Sequence, residues 1–78
     1  MPTILKVGAY RFFFYSNEKG EPPHIHVQRE RKLAKLWLQP VTLVDNNGFP
    51  AHELKELLSL VTKHQHIFKE AWDEFFGI

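Results

Sequence analysis

The chain has 78 residues, 44% of them apolar and 14% aromatic, and its formal net charge is +1. That length holds one domain, residues 1–78, and excludes a second independent core, while the ring content excludes a disordered chain. The lack of cysteine excludes disulfides and thiolate chemistry, and the near-neutral charge by itself neither requires nor forbids a nucleic-acid partner.

In chain order, Ile4-Leu5-Lys6-Val7 predicts a short strand. Gly8-Ala9 then makes a tight connection into Tyr10-Arg11-Phe12-Phe13-Phe14-Tyr15. This aromatic run favours extended backbone, and the spacing fits a hairpin. Residues 17–23 form a polar loop in which Pro22 and Pro23 block helix. Extended structure resumes over residues 24–28, with Ile25 and Val27 on one face and His24, His26 and Gln28 on the other. Arg29-Glu30-Arg31 turns the chain into residues 33–38, where Ala34, Leu36 and Leu38 alternate with Lys35 and Trp37. Pro40 ends or bends that strand; residues 41–44 either continue it or form a short one of their own. Asp45-Asn46-Asn47-Gly48 reads as a turn.

From Pro50 the period lengthens. Leu54, Leu57, Leu58, Val61, Gln65, Phe68, Trp72 and Phe75 recur at three- and four-residue steps, as on an amphipathic helix. Pro50 suits a first helical turn and Gly77 a C-terminal cap. A single helix of about 26 residues would be about 39 Å long, more than a domain of this size accommodates, so a break is expected within residues 62–65. The expected fold is α+β. Residues 1–44 form an antiparallel meander of about four strands, and residues 50–76 form one or two helices packed on one face. Phe12, Phe14, Ile25, Val27, Ala34, Leu36 and Leu38 make up the face that receives the helical stripe.

No signal peptide is visible at the N-terminus. The longest uncharged run, residues 36–44, is far short of a membrane span. A cytoplasmic protein with no membrane partner is expected.

Several strings together carry a family likeness: Met1-Pro2-Thr3-Ile4, Tyr10-Arg11-Phe12-Phe13-Phe14-Tyr15-Ser16-Asn17-Glu18, Pro22-Pro23-His24-Ile25-His26-Val27, Lys35-Leu36-Trp37-Leu38 and Ala71-Trp72-Asp73-Glu74-Phe75-Phe76. On these the chain resembles a small bacterial family, the domain-of-unknown-function family four-one-six-zero. The resemblance implies a short stand-alone protein encoded beside another small protein, an arrangement similar to toxin–antitoxin modules. Members commonly close on a Trp-His-Glu-Tyr-Phe-like string, and this chain has Asp73 where that histidine would stand.

His24 and His26 alternate along one strand, so their rings project from the same face with Cα atoms about 7 Å apart. Neutral imidazoles so placed suit zinc, iron or copper. A third ligand would have to come from His52, Glu18, Glu21 or Asp45, and with none in obvious register no metal cofactor is favoured. The same pair also suits acid–base chemistry on RNA. Either histidine would take a proton from a ribose hydroxyl while Arg11 steadies a phosphate, and exposed Phe13, Tyr15 or Trp37 would stack on bases. Against both stands ordinary sheet surface, with the imidazoles satisfying loop backbone. Phe75 and Phe76, with Trp72, read as core; His64 and His66 read as solvent-facing.

Charge is uneven along the chain. Arg29, Arg31, Lys32 and Lys35 gather near one turn, and Glu53, Glu56, Glu70, Asp73 and Glu74 lie in the C-terminal third. The leading expectation is a component that works by binding a cognate small protein. An RNA-cleaving enzyme using Arg11, His24 and His26, with Tyr15 and Trp37 as binding residues, is the alternative, and a metal-binding module through His24 and His26 a third. A homo-oligomer and an RNA partner both remain compatible with the sequence, which does not decide whether the chain is an enzyme.

Overall fold

The computed structural model describes residues 3–15 and 20–77. Part of the expected 17–23 loop, including Glu18, lies outside the described residues, as do Met1 and Pro2. Among these residues five strands, β1 (Thr3–Val7), β2 (Tyr10–Phe13), β3 (His24–Arg29), β4 (Lys32–Leu38) and β5 (Val41–Asn47), precede two helices, α1 (Ala51–Lys63) and α2 (Gln65–Phe76). The sheet is an antiparallel meander in the order β1-β2-β3-β4-β5. The chain is therefore α+β as expected, with five strands where about four were read.

The additional strand comes from the segment after Pro40. Residues 41–47 pair along β4 in their own right, and the expected 45–48 turn gives way to strand through Asn47. Asn46 explains the difference. Its side chain accepts from the Phe49 backbone N–H and donates to the Phe49 carbonyl, both at 3.0 Å, so the reversal is closed one step later. Two other hairpins are tight. Val7 pairs with Tyr10 across Gly8-Ala9, and Arg29 with Lys32 across Glu30-Arg31. These two loops take a positive φ at their first position, 57° at Gly8 and 56° at Glu30.

The helical segment breaks at His64, inside the expected window. The longest extent of the molecule is 34 Å, less than one unbroken helix would need. Pro50 stands just before α1 in extended backbone, where its carbonyl accepts from the N–H groups of Glu53 and Leu54. Gly77 closes α2 in the left-handed conformation, as its position in the sequence predicts.

The helices cover the predicted face. Phe12, Phe14, Ile25, Val27, Ala34, Leu36 and Leu38 are buried together with Leu57, Val61, Phe68 and Trp72. Fully burying a side chain of this size contributes roughly 1.5–3 kcal/mol, so this one layer accounts for most of what holds the domain together. Phe76 continues the four-residue step of Phe68 and Trp72 and turns inward, while Phe75 stays 44% exposed. That corrects the expectation that both close the core. Glu53 also faces inward, from the first turn of α1. Among the described residues, no helix is long and apolar enough to cross a membrane.

Candidate functional site

Antiparallel register carries each side chain straight across the sheet. On the face opposite the helices, one row runs Lys6, Arg11, Gln28, Leu33, Asn47. The next runs Thr3, Phe13, His26, Lys35, Asp45, and a third holds His24, Trp37 and Thr42. The two histidines therefore share a face, as their spacing requires, and the register brings Arg11 and Trp37 to the same surface.

Their exposure differs from the sequence expectation. His24 is fully buried and His26 is 7% exposed. The rings pack against each other with centroids 5.1 Å apart, and His24 also lies 4.7 Å from Trp72 and 5.8 Å from Trp37. His24 thus joins the end of the sheet to α2 and belongs to the frame as much as to the surface. Its Nδ1 donates to the Pro22 carbonyl at 2.9 Å, so the stiff Pro-Pro segment fixes the ring from behind.

His26 stacks on Phe13, its cross-strand neighbour, at 5.5 Å and meets Tyr15 at 4.7 Å. Phe13 is buried too, whereas Tyr15 and Trp37 keep part of their surface in solvent. Two cations rest on this cluster. The Arg11 guanidinium lies 4.3 Å above the Phe13 ring and donates to Gln28, and the Lys35 ammonium lies 5.0 Å from the Trp37 ring. Lys35 also pairs with Glu21 at 2.5 Å. Beside it, His26, Leu33, Lys35, Asp45 and Asn47 line a depression of about 120 Å³.

The expected catalytic trio of Arg11, His24 and His26 is thus gathered on one face, but its imidazoles are enclosed by neighbouring rings. Among the described residues, no group of three His, Cys, Asp or Glu side chains is placed to hold a metal. Of the proposed third ligands, Glu21 is engaged by Lys35, His52 is exposed on α1, and Glu18 lies outside the described residues. A second depression, of about 300 Å³, is lined by Gln39, Gln65, His66, Lys69 and Glu70 and shares no residue with the histidine face. Its polar groups are partly spent internally: Gln65 donates to the Leu38 carbonyl and Lys69 is held by Asp73.

Sequence reasoning missed a charged cluster at the other end of β3. Glu53, 7% exposed, accepts from Lys32 at 2.9 and 2.7 Å and from Arg29 at 3.2 Å. Arg29 also donates to the Tyr10 hydroxyl at 3.4 Å. The Lys32 hydrogen bonds, reinforced by the charges of Lys32 and Arg29, hold the Glu53 carboxyl below its ordinary range despite burial. Two members of the basic cluster near this turn, Arg29 and Lys32, are therefore internally neutralised. The only prior signal was a glutamate on the apolar side of α1.

A sequence model of the family described as domain of unknown function (DUF4160) matches residues 9–73. Neither a curated protein nor a solved structure matches the chain.

Proposed function

The chain belongs to the DUF4160 family, and from that premise we propose that it is a partner-binding component of a small bacterial two-gene module, toxin–antitoxin-like in arrangement, acting in the cytoplasm. It docks its cognate small protein on the helix-free face of the sheet. The observation that carries this is the composition of that face. Part-exposed Tyr15 and Trp37 surround an enclosed aromatic centre, and charges of both signs, Arg11 and Lys35 with Glu21 and Asp45, stand around it. Anchoring rings inside a mixed polar rim suit a protein surface. A phosphate backbone would meet Glu21 and Asp45 beside the very lysine it needs, which disfavours RNA. Acid–base cleavage needs an imidazole that reaches substrate, and burial of His24 and His26 supports recognition instead.

Co-expression with the product of the neighbouring gene tests this. The expected result is one complex on size-exclusion chromatography, weakened at least tenfold by Trp37→Ala or Lys35→Glu without loss of fold. Two separate species would overturn it, and so would degradation of cellular RNA on expression of the chain alone.

A further inference from the structure

Three large apolar side chains among the described residues remain more than a third exposed: Val44, Ile67 and Phe75. Two of them are on α2, eight residues apart, with half-buried Ala71 midway. Residues four apart on a helix stand one above the next, so Ile67, Ala71 and Phe75 form a ridge about 12 Å long. The ridge lies about a quarter-turn from the inward line of Phe68, Trp72 and Phe76.

Its outer flank is acidic. Glu70 and Glu74, three residues beyond Ile67 and Ala71, are both exposed, while Lys69 is closed on Asp73 at 2.7 Å and offers no free counter-charge. Phe75 is held as well as exposed, its ring 5.2 Å from Phe14 and 5.0 Å from Phe76. An exposed ring already fixed by its neighbours loses little freedom on binding, which is the property of an interface anchor.

We infer that the outer ridge of α2 is a second docking surface, for a basic amphipathic helix of another protein. Apolar residues of that helix would cover Ile67, Ala71 and Phe75, and its Lys or Arg flank would meet Glu70 and Glu74. The sequence order Ile67, Glu70, Ala71, Glu74, Phe75 is the three- and four-step pattern by which helices pair. A second copy of α2 is a poor occupant. Two-fold antiparallel pairing centred on Ala71 sets Glu70 and Glu74 of one copy against the same residues of the other, with like charges facing. This surface is separate from the helix-free sheet face and stands or falls independently of it.

The probe is a synthetic peptide of about 15 residues, long enough to form helix on contact, with Leu on one face and Lys on the flanks. A control peptide carries Glu in place of every Lys. Because the chain's own net charge is +1, overall attraction does not draw a cationic peptide, and any preference is local. By calorimetric titration, the Lys peptide should bind at least tenfold more tightly than the Glu peptide and shift the amide resonances of residues 67, 71 and 75. The double variant Glu70→Lys/Glu74→Lys, which touches no core residue, should reverse that preference. Ile67→Ala should weaken binding at least fivefold with an unchanged thermal midpoint. An unreversed preference, resonance shifts confined to the sheet face, or self-association that Ile67→Ala abolishes would each overturn the inference.

Discussion

Lys32 on β4 places its ammonium 2.9 and 2.7 Å from the two carboxylate oxygens of Glu53, tying the first turn of α1 to the β3–β4 hairpin. Arg29 reaches the same carboxylate from β3. Around them lie rings, with Lys32 5.6 Å from Phe49 and Arg29 5.2 Å from Tyr10, so the charges sit against apolar surface.

The pH dependence follows from Glu53. Its folded-state pKa is depressed, chiefly by the Lys32 hydrogen bonds. The group therefore adds stability above the ordinary carboxylate range, and that stability is lost as pH falls through its lowered value. Glu53→Gln should be less stable than the parent at pH 7, and the gap should narrow steadily below about pH 4. Urea unfolding at a series of pH values measures this; a gap independent of pH would show that the charge of Glu53 contributes nothing.

Glu30 takes a φ of 56° in the β3–β4 turn, where the equivalent place in the first hairpin is Gly8. A side chain in that region costs about 1–2 kcal/mol, partly offset by the greater freedom glycine gives the unfolded chain. Glu30→Gly should therefore stabilise the fold by about 0.5–1 kcal/mol, read as a higher urea midpoint at constant slope.

His24 is enclosed by Trp37, His26 and Trp72 and hydrogen-bonded to the Pro22 carbonyl. His24→Ala should cost about 2–4 kcal/mol through the cavity and the lost bond. A thermal midpoint equal to the parent's would return this histidine to the list of exposed, reactive candidates.

The metal reading has its own check. With both imidazoles packed among rings and the Nδ1 of His24 directed at a carbonyl, dialysis against a chelator should leave the thermal midpoint unchanged. A drop of several degrees, absent in His24→Ala/His26→Ala, would identify the pair as ligands.

Much of this was legible because it depends on local period. Alternation placed Ile25, Val27, Ala34, Leu36 and Leu38 on the helix-facing side, and the same alternation put His24 and His26 together opposite them. The helix break was readable from length alone. What was hidden depends on partners distant in sequence. Glu53 is buried because Lys32 and Arg29 wait 21 and 24 residues upstream. The histidines are enclosed because register sets Phe13 beside His26 and Trp37 beside His24, and no single strand announces its register. Phe75 and Phe76 were hard to separate because both continue the stripe from Trp72, three and four residues on, and only the four-residue step of Phe68, Trp72 and Phe76 faces inward.

The strand order also bears on how the chain acquires its shape. Among the described residues, every strand pairs with its immediate neighbour in sequence. Three of the four pairings close two-residue loops, so little entropy is lost before their contacts form. A sheet assembled one hairpin at a time, with two local helices added at the end, has a low contact order for a five-stranded protein. Its refolding belongs with the faster mixed α/β domains rather than with the slow sandwiches and barrels.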